Sequence, residues 1–259
     1  MSKTVEIKAL EKTKGGYQLI SDASSFWIDG LLLHKYRLKA GMSMEQQTFL
    51  SLKKEAELVY YDQLAIKKMK KLLTTHELSQ YLQDKGCPAS ICRELLTKYI
   101  RLNYIDDLHY AKHYVMRKKH KEGPRLIKEK LRDKGITEQT LKYAFERYDE
   151  HQLAQDIIEK SIKSNTKKSL RHIKNTVYSA MIAKGFSSDV IQDILTSVDD
   201  LHTVDELELV KKQASIAYTK YLKTADSKEA LRKTVMKLRQ KGFQSEDIHQ
   251  AIESLAVKA

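Results

Sequence analysis

Apolar and polar positions along the chain fall into a pattern that recurs four times. The segments Leu82-Gln-Asp-Lys-Gly-Cys87, Leu131-Arg-Asp-Lys-Gly-Ile136, Met181-Ile-Ala-Lys-Gly-Phe186 and Leu238-Arg-Gln-Lys-Gly-Phe243 share it, and their glycines stand 49, 50 and 57 residues apart. Helix termination accounts for every shared position. A glycine just past a helix end takes the left-handed conformation at little steric cost. The apolar residue four before it and the one after it make the contact that accompanies such a stop. The lysine between them sits at the negative end of the helix dipole. Gly86, Gly135, Gly185 and Gly242 are therefore expected to be structural helix caps.

A second helix is expected directly after each stop. Thr137-Glu138, Ser187-Ser188-Asp189 and Ser245-Glu246-Asp247 offer a capping hydroxyl followed by acid, and Pro88 suits the first helical position. Apolar residues then recur at helical spacing in Ile91/Leu95, Leu141/Phe145, Val190/Ile194 and Ile248/Ile252. About fifty residues per copy leave room for a third helix. In the second copy it follows the capping pair Asp106-Asp107 with a stripe of Leu108, Ala111 and Val115, and Gly123-Pro124 opens the next helix. A pair of acids at Asp199-Asp200 reads as a further helix start.

The first forty residues differ. Val5–Leu10, Tyr17–Ile20 and Phe26–Ile28 read as extended around a Gly15-Gly16 turn. A helix is expected over Asp29–Lys39, and Ser43-Met-Glu-Gln46 reads as a capping box opening another. The expected fold is mainly α: four tandem three-helix repeats in an elongated, curved array, after a small β-containing element. The boundaries are 1–42 for that element and 43–104, 105–149, 150–200 and 201–259 for the repeats. One such repeat buries little alone, so neighbours are expected to stack.

Composition agrees with helices, since only 9 Gly and 2 Pro occur in 259 residues. A net charge of +13 implies an acidic partner: nucleic acid, an anionic membrane surface or an acidic protein. Cys87 and Cys92 are too few for a disulfide framework. The N-terminal stretch lacks the apolar core of a secretory signal. No run approaches the ~18 apolar residues of a membrane span, and a cytoplasmic location is expected.

The charge is concentrated. Ten basic residues stand against three acidic ones between Leu108 and Lys134. Arg117, Lys118, Lys119 and Lys121 form a cluster. Arg125, Lys128 and Arg132 then fall on the face of one helix opposite Leu126, Ile127 and Leu131. Lys167, Arg171 and Lys174 repeat such a stripe in the third copy. One stripe is explained by an ordinary solvated helix face. Two in adjacent repeats point to a nucleic-acid-binding surface that follows phosphates rather than reading bases. Tyr99, Tyr104, Tyr110 and Tyr114 interleave with this region; packing is their commoner role, base stacking the alternative.

Catalytic patterns do not emerge. The sequence holds no phosphate-binding glycine loop and no dinucleotide fingerprint. His109 and His113 are four apart but lack a third metal ligand. No nucleophile has a positioned base. The expectation is a binding regulator without catalytic residue, metal or cofactor.

The stretches Glu77-Leu-Ser-Gln-Tyr-Leu-Gln-Asp-Lys-Gly86, Tyr104-Ile-Asp-Asp107, Tyr110-Ala111, Gly123-Pro124, Ile127-Lys-Glu-Lys-Leu-Arg-Asp-Lys-Gly-Ile136 and Lys184-Gly-Phe-Ser187 with Val190 and Ile191 resemble the RecX regulatory protein family over residues 66–255. Glu122, where the family often has Gly or Lys, and Tyr110, where it often has Phe, depart from it. The resemblance implies a modulator of the RecA recombinase. Such a protein binds the RecA–single-stranded DNA filament, lies in its groove, and restrains ATP hydrolysis, strand exchange and cleavage of the SOS repressor. It implies RecA and single-stranded DNA as partners, weaker contact with duplex DNA, no membrane, and a monomer. Two other classes remain open at this point: a tandem helix-turn-helix protein binding duplex DNA, and a helical scaffold for acidic proteins.

Overall fold

The structure, a computed structural model, describes residues 4–165, 168–198 and 205–256. The chain begins with β1 (Thr4–Thr13), β2 (Gly16–Ser21) and β3 (Ser25–Ile28), and the short helix α1 (Gly30–Lys35) follows. Asp29 caps α1, its carboxylate accepting from the Leu32 N–H at 2.8 Å. Strand β4 (Ser43–Glu45) completes an antiparallel sheet of order β3-β2-β1-β4. Its pairing of Met44 with Val5 corrects the capping-box expectation at Ser43. The open edge of β1 gives Ser43–Glu45 backbone partners that an isolated helix start lacks, so helix α2 (Gln46–Lys68) begins only at Gln46, without a side-chain cap. Alternation along the strands turns Val5, Ile7, Leu19 and Ile28 inward, against Leu32, Phe49, Leu52 and Ala56.

The other helices come in threes. With α2 go α3 (Thr75–Asp84) and α4 (Ala89–Arg101). Next are α5 (Asp107–Lys118), α6 (Pro124–Asp133) and α7 (Glu138–Ala144), followed by α8 (Glu150–Ser164), α9 (Leu170–Lys184) and α10 (Ser188–Ser197). The last three are α11 (Glu206–Tyr221), α12 (Ser227–Gln240) and α13 (Ser245–Ala256). The fold is mainly α, built of helical repeats behind a small N-terminal sheet. Asp106 starts α5, accepting from the His109 N–H at 2.9 Å. Asp199-Asp200 lies outside the described residues.

Each middle helix ends alike. Gly86, Gly135, Gly185 and Gly242 have φ of 79°, 77°, 90° and 83°. The N–H two residues beyond the last turn closes each stop: Cys87 to Leu82 O (3.0 Å), Ile136 to Leu131 O (3.0 Å), Phe186 to Met181 O (3.1 Å) and Phe243 to Leu238 O (3.4 Å). All eight of these apolar side chains are buried. The register of the turn then fixes the next helix cap two residues after the glycine, whatever residue stands there. Pro88, Thr137, Ser187 and Gln244 each accept from the N–H four residues on. This corrects two expectations: Pro88 is the cap of α4 rather than its first residue, and Ser245 lies inside α13 because Gln244 holds the capping place.

Contacts gather the chain into two compact units, Met1–His113 with Leu131–Ala144, and Tyr114–Lys130 with Phe145–Ala259. Within each, the glycine turns do more than stop helices. In the first unit the Thr74 hydroxyl, cap of α3, donates to Lys134 O at 2.7 Å. In the second, the Gly123 N–H donates to Lys184 O at 2.7 Å and the Arg125 N–H to Gly185 O at 3.1 Å. There too the Ser169 hydroxyl, cap of α9, donates to Lys241 O at 3.0 Å. The last carbonyls of one middle helix thus receive the first donors of the preceding repeat's middle helix, and each end satisfies orphan groups of the other. A methyl group on the turn glycine would meet His76 at 2.3 Å, Leu126 at 2.7 Å or Ser169 at 2.8 Å. At Gly86, which has no preceding repeat, the nearest atom is the Tyr61 hydroxyl at 3.8 Å, and that hydroxyl donates to Gly86 O.

Thr74 is fully buried and serves both its own helix and this joint. Thr74→Val keeps its volume, removes the cap and leaves Lys134 O without its donor. A loss of about 2 kcal/mol is expected, read as a lower urea midpoint at unchanged slope. An unmoved midpoint would remove the hydroxyl from the joint.

Candidate nucleic-acid interface

Helix α5 ends at Lys118, and the chain turns through Glu122 and the buried Gly123 before Pro124 opens α6. The turn is tight because Gly123 lies against the next repeat, where a Cβ would sit 2.4 Å from the Gly185 backbone. Glu122 organises this corner. Its carboxylate takes Lys118 at 3.1 Å and Lys130 at 2.9 Å. Burial pushes the Glu122 carboxyl up, but hydrogen bonds from Lys130 and Lys118 outweigh it and hold the group below the usual carboxylate range.

The cations expected at the interface divide into two kinds. Lys118 is held by Glu122. Arg125 turns back to Ile182 O at 3.4 Å, and Lys128 lies 4.9 Å from the centre of the Phe145 ring. Arg132 pairs with Glu138 at 2.5 Å. Lys174 is half-buried, and Lys167 lies outside the described residues. Arg117 and Lys121 are exposed and Lys119 half-buried, and none of these three has an ion-pair partner among the described residues. The cations available to a ligand thus gather at the end of α5 and its turn, upstream of the α6 stripe.

Arg171, at the start of α9, is likewise exposed and has no ion-pair partner among the described residues. It opens on a cavity of about 390 Å³ shared with His172, Asn175, Arg239 and Gln240, and lined also by Gly242 and Phe243. Arg239 lies in the next repeat, beyond the reach of spacing along one helix. Its signal was the alignment of the turns, which puts Arg239 and Arg132 at one position.

The tyrosines are mostly packing residues. Tyr99 and Tyr110 are buried, and the Tyr99 hydroxyl donates to Asp62 at 2.7 Å. Tyr114 is half-buried, whereas Tyr104 is 69% exposed. Cys87 and Cys92 are buried free thiols. Among the described residues no group of three metal-ligating side chains forms, around His109 and His113 or elsewhere. None of the described helices is long and apolar enough to cross a membrane.

No family model matches the chain. It is similar to the regulatory protein RecX of Leuconostoc citreum, 27% identical over 98% of both chains. With that of Leuconostoc mesenteroides it is 28% identical over 100% of this chain and 99% of the relative. With that of a Geobacillus species it is 29% identical over 89% and 87%. Among solved structures, RecX from Lactobacillus salivarius is 26% identical, with a TM-score of 0.51 over 55% of this chain and 97% of that one. A second crystal structure of the regulatory protein RecX, 22% identical, shares the fold with a TM-score of 0.54 over 73% and 98%.

Proposed function

We propose that this chain, which belongs to the RecX family of regulatory proteins, binds the filament formed by RecA on single-stranded DNA and restrains it. The observation that carries this reading is the set of unpaired cations Arg117, Lys119 and Lys121 at the corner between α5 and α6. Core packing and the Glu122 clamp hold that corner while the three side chains stay available. Cations so placed neutralise backbone phosphates and release counterions, which gives affinity without base specificity.

Restraint then follows from state preference. A ligand that binds one conformation of a filament better than another shifts the filament toward it. Cycling of RecA through ATP hydrolysis, strand exchange and stimulated cleavage of the SOS repressor slows accordingly. The regulator acts in the cytoplasm as a monomer and needs no cofactor. A tandem helix-turn-helix reading fits less well, because three of the four glycine turns are occupied by a neighbouring helix start.

Co-sedimentation with RecA filaments tests this. The chain is expected to pellet with the filament at low salt, to be released as salt rises, and to lower the rate of RecA ATP hydrolysis. A chain that stays in the supernatant at low salt and leaves the ATPase untouched would falsify the reading.

A further inference from the structure

The three joints bring corresponding helix ends together and differ in side-chain chemistry, and that difference isolates a site. At the second residue of the receiving helix stand His76, Arg125 and Arg171, and at the third Glu77, Leu126 and His172. On the arriving turn, three residues before the glycine, stand Arg132, Ile182 and Arg239, followed by Asp133, Ala183 and Gln240.

In the first joint the charges are internally matched. Glu77 binds Lys134 at 2.6 Å and Arg132 binds Glu138. In the second, Arg125 reaches the carbonyl of Ile182. In the third, three acids of the first joint are replaced, His172 standing for Glu77, Gln240 for Asp133 and Ser245 for Glu138, while Glu206 accepts from the Leu170 N–H as Asp107 does from that of Thr75. Arg171 and Arg239 both face the cavity of about 390 Å³, with His172, Asn175 and Gln240 beside them and no carboxylate in its lining among the described residues. Lys168 Nζ adds a further cation 3.2 Å from His172 Nε2. Two of the first three backbone amides of α9 are already used, Leu170 N–H by Glu206 and His172 N–H by Ser169, so side chains supply most of the donors of this site.

We propose that this cavity is a phosphate site that receives one phosphodiester of single-stranded DNA, held between Arg171 and Arg239. Two guanidinium groups match a tetrahedral anion with paired N–H donors. Asn175 and Gln240 supply neutral donors, and the joint holds the two arginine-bearing helix ends in register. The inference rests on the reading of the chain as a protein that meets nucleic acid, but it concerns α9 and α12 rather than the α5–α6 corner.

The test is fluorescence anisotropy of a labelled oligo-dT with the full chain across a salt series. Arg171→Gln with Arg239→Gln is expected to weaken binding roughly tenfold and to lower the salt slope by about 0.7, one phosphate contact on a single strand. Arg232→Gln, on the same α12 but paired with Glu229 at 2.8 Å, is expected to change neither. At matched ionic strength, inorganic phosphate should compete for the wild type more strongly than chloride does, and lose that advantage in the double variant. Wild-type affinity and slope in the double variant, with circular dichroism unchanged, overturn the site but leave the α5–α6 reading standing. An equal loss in Arg232→Gln overturns it as mere net charge. Failure of the wild type to bind oligo-dT at low salt removes both the site and the DNA contact of the proposed function.

Discussion

Gly185→Ala is expected to cost about 3 kcal/mol of stability, whereas Gly86→Ala costs about 1 kcal/mol. Both glycines hold a left-handed conformation, which charges any other L-residue roughly 1–2 kcal/mol. Only Gly185 also lies in a joint. Its added methyl would stand 2.7 Å from the Leu126 backbone N and Cβ, a contact that the facing helix start cannot relieve by a rotamer change. Overpacking of this kind adds roughly 1–3 kcal/mol. At Gly86 the nearest atom is the Tyr61 hydroxyl at 3.8 Å, an ordinary contact. Urea unfolding of the two variants separates the roles, and equal losses would mean that the glycine serves helix termination alone.

That contrast marks how far the sequence carries. The helix stops were legible because a stop is local: the glycine, its apolar neighbours and its lysine lie within six residues. The joints were not. Their donors lie 60 and 72 residues from their acceptors in two cases, and they are a threonine hydroxyl, a serine hydroxyl and backbone N–H groups, with no residue type in common. The strand at Ser43–Glu45 was misread for a related reason, since its partner, β1, lies some forty residues upstream. Ser245 was misread because residue preference suggested a cap whose place the turn had already assigned.

Replacing Arg117, Lys119 and Lys121 together with glutamate is expected to weaken binding to RecA-coated single-stranded DNA at least about a hundredfold near 0.1 M salt, and to flatten its salt dependence. Arg132→Glu alone is expected to matter less than about threefold, since an exposed, paired side chain contributes little. Circular dichroism should match wild type in both. A ranking in the opposite order would return the contact to the α6 stripe. Charge counting marks this region as basic but does not order its members. Glu122 removes Lys118 from the available set by taking both it and Lys130, and Glu138 does the same for Arg132. Such assignments follow from where a turn aims a carboxylate, which a tally of charges does not contain.

The joint has a direction, and direction raises the question of where it ends. A head-to-tail contact can in principle add members without limit, as open heterologous contacts do. The middle helix of the last repeat presents a different end. Where Thr74 and Ser169 offer a hydroxyl, α12 is capped by Asp226, whose carboxylate accepts from the Glu229 N–H at 2.8 Å. A carboxylate has no proton to give. A turn carbonyl brought to that end would meet backbone N–H groups, as Lys184 O and Gly185 O do near the start of α6, but no hydroxyl from the cap. The start of α12 therefore differs in polarity from those of α3 and α9: its cap can accept a hydrogen bond but not donate one.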